Sequence, residues 1–377
     1  MSQQRFLPRL TKIEGNAAIL KATKAFSGVW NMTSQAVEAK IPATRSEWYR
    51  SLAKYEKPDL RKAIGQLLNT VIPYFALWGL MVWMLRQEIS YWLILPLILL
   101  AAGLLIRIFI FFHDCCHGSF FASRRANRIL GHLTGALTFT PFADWQQVHA
   151  EHHATAGDLD RRGSGDIWTM TVEEYRNAPK LHQITYWLFR NPLVLFILAP
   201  PVLFLLVHRF PHRGANPRMR RSVHITNLLI LGMFLVAGFT IGWQTYLMIQ
   251  IPVMAVAGTA GVWLFYVQHQ YEGVFWGRHD EWDPVRAALE DSSYYKLPKV
   301  LQWFTGNIGL HHIHHLRPRI PNYNLQQCYD EVPELQAVEP LTFRKSLKSL
   351  FLNLWDEPNG RLVSFRSLRS LPQRNRA

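Results

Sequence analysis

Apolar residues gather along this chain in a few long, almost chargeless runs, while charge collects between and outside them. A hydrocarbon core about 30 Å thick needs roughly 20 apolar residues in a helix. Four runs meet that length: 66–85, 91–112, 225–242 and 246–267. Arg86-Gln87-Glu88-Ile89-Ser90 separates the first two, and a short polar link around Trp243 separates the last two, so the pattern predicts two helical hairpins. Trp83, Tyr91, Trp92, Trp243, Tyr246 and Tyr266 stand at the ends of the runs, where amphipathic rings suit the bilayer interface.

Two weaker stretches require a decision. Residues 129–142 are too few to span and include His132; residues 192–207 are apolar but centre on Pro200-Pro201, which breaks a helical hydrogen-bond ladder. If the polar segments on either side share one face of the membrane, neither stretch crosses once. Both are therefore read as interfacial or re-entrant, with a true span at each as the alternative. The expected fold is an all-α integral membrane protein: four transmembrane helices, interfacial or re-entrant helices, and a cytoplasmic helical cap.

Charge supplies the orientation. Residues 1–65 hold twelve Lys/Arg against five Asp/Glu, the segment 341–377 holds eight against two, and 209–221 holds five arginines. The positive-inside rule then places both termini in the cytoplasm. The chain divides into a basic N-terminal region (1–65), a membrane domain (66–340) and a basic tail (341–377). The net charge of +15 belongs to these flanks. No arginine-rich surface interleaved with aromatics stands apart from the spans, so nucleic acid is not an expected partner. Three cysteines, Cys115, Cys116 and Cys328, form no disulfide framework and suit a reducing compartment. The first sixty residues show no short apolar core with a cleavage pattern, so the spans are expected to direct insertion. Asn31-Met32-Thr33 matches a glycosylation acceptor that a cytoplasmic N-terminus would leave inert. The pairs Gly131/Gly135 and Gly238/Gly242 have the spacing for close helix packing and carry no functional reading.

Of sixteen histidines, ten fall in four places beside these runs. His113-Asp-Cys-Cys-His117 follows the second run, and His149-Ala-Glu-His152-His153 follows the first doubtful stretch. His269 closes the fourth run, and His311-His312-Ile-His314-His315 opens the C-terminal region. Positions i, i+3 and i+4 share a helix face, so H-x-x-x-H is expected to offer two imidazoles to one point and each H-x-x-H-H three. The set His113, His117, His149, His152, His153, His269, His311, His314 and His315 suits two metals with four or five ligands each. That leaves room for O2 or water. Imidazole suits iron, zinc, copper and nickel alike. Zinc has no redox chemistry and nothing else here resembles a hydrolase. Two irons would allow O2 to be split into an oxidant that takes hydrogen from an unactivated methylene; iron is inferred from that reaction class and not from ligand identity. His312 is the ambiguous member of its cluster, and His132, His182, His208, His212, His224 and His279 read as surface or hydrogen-bonded residues. Cys115 and Cys116 read as fillers. Asp114, Asp144, Glu151, Asp158, Asp166 and Glu272 are candidate acceptors for the second ring N–H of a ligating histidine.

The segments HDCCHGSFF, HAEHHATAGDLDRRGSGDIWTMTVEEY, FYVQHQYEG and NIGLHHIHHLRPRIPNYNL resemble the histidine boxes of the membrane fatty acid desaturases. Among these they look like the bacterial acyl-lipid enzymes, of the Bacillus Δ5 type and their Δ12 relatives. The resemblance covers approximately Trp48 to Val332. It implies four transmembrane helices under a cytosolic cap, a non-haem diiron centre and a narrow acyl tunnel, for which Trp145 and Trp168 are candidate lining. The nine histidines above carry over position by position, His269 as the extra ligand before the third box. The implied reaction is O2-dependent introduction of a cis double bond into the acyl chain of a membrane lipid. The H-x-x-x-H spacing departs from the H-x-x-x-x-H of animal acyl-CoA enzymes and favours a lipid-linked substrate. No H-P-G-G haem signature occurs, so electrons are expected from a separate ferredoxin or flavodoxin. The same scaffold resembles membrane hydroxylases, ketolases and alkane monooxygenases, and DIWTMTVEEY and PRIPNYNL favour desaturation. From another class, a metal transporter needs ionisable ligands near the bilayer midplane, and the runs hold almost none. A transmembrane dihaem carrier would place its histidines within the spans.

Overall fold

A computed structural model describes residues 43–371. Contacts divide the chain into two units, 1–50 and 51–377. The first enters the description only with the helix Ala43–Ser51. Asn31-Met32-Thr33 and most of the basic N-terminal region lie outside the described residues.

The four apolar runs are helices α1 (Leu60–Arg86), α2 (Leu95–His117), α5 (Pro217–Ile241) and α6 (Trp243–His269). All are long and apolar enough to cross a membrane, α2 together with the 3-10 turn Tyr91–Leu93 before it. Each outlasts its apolar run because helix ends are set by caps and not by hydropathy. The Asp59 carboxylate accepts from the N–H groups of Arg61 and Lys62 and starts α1 six residues early. Asn216 caps α5, with Pro217 in its first turn. Gly118, at φ +67°, closes α2 in the left-handed conformation directly after His117. The helical ladder thus runs on into the histidines.

Helix α1 packs on α2, α5 on α6, and α2 on α6. Ile98, Ala101, Ala102, Leu105 and Ile108 of α2 share a core with Ile249, Val253 and Met254 of α6. The outer faces stay bare: Leu68, Ile72 and Phe75 on α1, and Leu228, Val236 and Phe239 on α5, with Phe239 81 % exposed. Apolar faces this extensive call for hydrocarbon and not water around them.

The first doubtful stretch forms no helix long enough to be a candidate span. It divides between α3 (Arg124–Leu137) and α4 (Phe142–Thr155), each about 21 Å long at 1.5 Å per residue. A Cβ on Gly135 would lie 2.5 Å from the Thr140 carbonyl oxygen and one on Gly131 2.2 Å from the Phe142 ring, so both glycines serve the tight turn between these helices. The second stretch contributes to a pair, Lys180–Phe189 and Val194–Arg209, that bends by 64° at its break. The pair is apolar enough together to form one broken span or a re-entrant loop.

The described residues are mostly helical, as expected, with a small strand component that the sequence did not show. Among the described residues five short strands form two small sheets: β1 (Met170–Thr171), β2 (Tyr294–Lys296), β3 (Pro340–Thr342), β4 (Leu354–Asp356) and β5 (Arg361–Val363). β1 runs parallel to β4, which is antiparallel to β5; β2 runs parallel to β3. Residues 341–371 are therefore built into the fold. Side-chain alternation explains this. Leu354 and Val363 pack with Met170, Val172 and Tyr186 on one face, and Trp355 and Leu362 with Leu159, Val274 and Trp276 on the other. Replacing the buried Trp355 by alanine is expected to cost about 3–5 kcal/mol, read as a fall of several degrees in the Tm of the detergent-solubilised protein. A folded tail predicts this loss; a loose one predicts none.

Candidate metal centre

The structure gathers the nine histidines singled out in the sequence into two largely buried groups. His113, His117, His149, His153 and His314 form the first; His152, His269, His311 and His315 form the second. Within each group, one donor nitrogen per residue lies within 4.8 Å of all the others. The last turn of α2 presents His113 and His117, α4 presents His149, His152 and His153, and the end of α6 presents His269. Beyond the short helix α7 (Lys299–Phe304), the six-residue helix α8 (His311–Leu316) presents the rest.

Neither H-x-x-H-H gives its three rings to one point. In α4 the i and i+4 rings, His149 and His153, serve the first group, and His152 serves the second. In α8 the i and i+4 rings, His311 and His315, serve the second group, and His314 serves the first. Residues i and i+4 stand about 40° apart around a helix, whereas i+3 and i+4 stand about 100° apart. One short helix can thus feed two centres.

The nitrogen spacings are those of ligands on a shared ion. Nε2 of His153 lies 3.1 Å from Nε2 of His149 and 3.0 Å from that of His314. Nε2 of His269 lies 3.2 Å from that of His152 and 3.0 Å from that of His311. Two nitrogens bonded at about 2.1 Å and at right angles to one metal stand about 3.0 Å apart. Hydrogen bonding alone does not satisfy this arrangement. In its ring plane a nitrogen offers one hydrogen or one lone pair, never both, so His153 and His269 each satisfy at most one of two contacts. Nε2 of His117 and of His315 is buried with no hydrogen-bond partner among the described residues. Unpaired buried polar atoms are costly, and a cation at each focus would engage all of them. The residues fit two metal ions.

Protonation favours the same reading. Burial and neighbouring imidazoles hold His149, His153, His311, His314 and His315 well below the usual histidine range, so they carry lone pairs at neutral pH. Neutral imidazole is the ligating form. Carboxylates orient several rings from behind. Nδ1 of His152 meets Asp166 at 2.5 Å, that of His113 meets Asp114 at 3.2 Å, and that of His269 meets Asp291 at 3.2 Å. Although burial opposes it, the His152 ring and the Gly163 N–H hold Asp166 below the usual carboxylate range. Asp114 turns its other oxygen to the backbone N–H and the side-chain amide of Asn322, at 2.7 and 2.8 Å. Asp166→Asn is expected to lower metal affinity 10- to 100-fold, measured by competition against a chelator. Unchanged affinity would leave Asp166 no part in holding the ring.

The remaining sequence candidates fall elsewhere. Asp144 engages His212, Asp158 engages His279 and Arg161, Glu151 engages Gln147 and Ser164, and Glu272 engages Lys348. His312 is buried, belongs to neither group and lies 3.2 Å from the Leu335 carbonyl oxygen; burial pushes it down to about 4. Cys115 and Cys116 pack with Phe111, Phe112, Phe120 and Phe142. Trp145 stacks on His149 with ring centroids 4.2 Å apart, whereas Trp168 packs against His182 and Tyr186. Asp291 went unnoticed in the sequence because nothing local links it to His269, 22 residues earlier.

The chain is also similar in sequence to known proteins. A profile of the family described as Fatty acid desaturase matches residues 89–346. A protein of Bacillus subtilis (strain 168) named Fatty acid desaturase is 46% identical over 341 residues, covering 90% of this chain and 95% of that one. An sn-1 acyl-lipid omega-3 desaturase (ferredoxin) of Nostoc sp. (strain 36) is 24% identical over 89% of this chain and 92% of its own. An sn-1 oleoyl-lipid 12-desaturase of Picosynechococcus is 27% identical over 65% of this chain and 70% of its own.

Proposed function

Starting from a chain that belongs to the fatty acid desaturase family, we propose that it desaturates the acyl chain of a membrane lipid at a diiron centre. His113, His117, His149, His153 and His314 hold one ion; His152, His269, His311 and His315 hold the other. The observation that carries this reading is the convergence of nine ring nitrogens on two foci at the ends of membrane-length helices.

Iron held there supplies, with O2, an oxidant able to take hydrogen from an unactivated methylene. The overall balance is one CH2–CH2 pair, O2, two electrons and two protons giving one CH=CH and two waters. The residues of this chain do the rest. Burial keeps His149, His153, His311, His314 and His315 unprotonated. Asp114, Asp166 and Asp291 hold His113, His152 and His269 in the tautomer whose Nε2 lone pair faces inward. Helices α2 and α6 deliver their histidines at the boundary of the apolar spans, within reach of an acyl chain approaching from the hydrocarbon. The arginines of 209–221 orient this end toward the cytoplasm of a bacterial membrane. There a separate ferredoxin or flavodoxin supplies the electrons. A ferredoxin appears in the name of the Nostoc relative.

The test is expression in a bacterium lacking desaturases, with gas chromatography and mass spectrometry of its fatty acids. A new unsaturated species is expected, its double bond located from the fragments. No new species, with iron bound and a donor present, would overturn the reading, and a hydroxylated product would assign the chain an oxygen-inserting reaction.

A further inference from the structure

The span Tyr91–His117 contains one arginine, Arg107, and it is buried at 3 % exposure. Its partners are neutral. Nε donates to Thr70 Oγ1 of α1 at 3.0 Å, and Nη1 donates to the carbonyl oxygen of Trp303. The guanidinium also lies over the Trp303 ring, 4.1 Å from its centroid. A charge at membrane depth without an opposite charge is a poor stabiliser, so its use lies in what it holds.

Trp303 belongs to the short helix Lys299–Phe304, and the chain leaves it through Gly306 (φ +54°) and Asn307 (φ +60°) to enter α8. This segment follows one face of α2 at close range. A Cβ on Gly103 would lie 2.8 Å from the Phe304 ring, and one on Gly306 would lie 2.9 Å from Ile110. Further along the same face, the rings of His113 and His314 stand 4.4 Å apart. Gly103, Arg107, Ile110 and His113 thus form one seam. Among the described residues Arg107 makes the only directional contact of this seam before the metal centre, since the others are apolar surfaces that can slide.

We infer that Arg107 is a positioning residue for the metal centre: it fixes the register of the segment 299–316 against α2, and so sets His311, His314 and His315 opposite the other histidines. The inference rests on the metal-site reading above.

The test uses full-length protein purified in detergent, stripped of metal and titrated with cobalt(II), together with the Tm of the metal-free form. Arg107→Lys keeps the charge but loses the planar fork and flat face; Arg107→Met loses all three. Both are expected to enter the membrane and to bind cobalt at least about 10-fold more weakly than wild type. The comparator is Trp355→Ala, a core lesion remote from the seam, expected to lower Tm and leave cobalt affinity unchanged. Arg107 variants that bind cobalt within 2-fold of wild type would overturn the inference. So would losses no larger than those of a core variant with an equal fall in Tm, or failure of both variants to accumulate. Wild type that binds no metal would instead sink the metal-site reading itself.

Discussion

Replacing His315 by alanine is expected to reduce unsaturated product at least about 100-fold while leaving the protein in the membrane. The magnitude follows from position. The second group has four nitrogens, from His152, His269, His311 and His315, and the Nε2 of His315 has no other partner among the described residues. Orienting groups behind a ligand are typically worth 10- to 100-fold in affinity or activity. Removing a ligand itself should cost no less, and three remaining nitrogens hold the ion in a different geometry. His312→Ala is the internal control, because His312 is buried in the same short helix yet contributes to neither group. It loses a contact to the Leu335 carbonyl and is expected to lower Tm while keeping both metals and turnover within a few-fold. Product and bound metal are measured side by side in both variants. Persistent product in His315→Ala would remove that residue from the ligand set, and equal loss in His312→Ala would mean that α8 tolerates no change at all.

Exchange of the metal is expected to have an effect of similar size. Chelation of membranes containing the protein should abolish product, ferrous iron should restore it, and zinc should not. The nitrogen set cannot discriminate by affinity, since imidazole binds both ions. The difference lies in the chemistry, because zinc has no accessible second oxidation state. Restoration by zinc would contradict an O2-dependent reaction at this site, however well the geometry fits.

The sequence carried some of this architecture openly and concealed the rest for physical reasons. Hydropathy located the four long helices, because a bilayer demands length and apolarity from a contiguous segment. It missed their ends, where Asp59, Asn216 and Gly118 decide by capping. Strands of two or three residues, such as Met170–Thr171, are too short to show a period, so the sheets and the folded segment 341–371 were invisible. The nine histidines were legible as i, i+3 and i+4 patterns beside the spans. Their division between two foci was not, because it depends on how α2, α4, α6 and α8 face one another. Asp291 and Arg107 illustrate the same limit. The arginine is plain within an apolar run, but Thr70 and Trp303 stand 37 and 196 residues away in the chain.

The central claim is that two iron ions, held by these nine histidines, carry the desaturation. Metal analysis of a purified sample that is still making product tests it most directly. About two irons per chain without haem absorbance is the predicted result; zinc alone in an active sample would contradict the account.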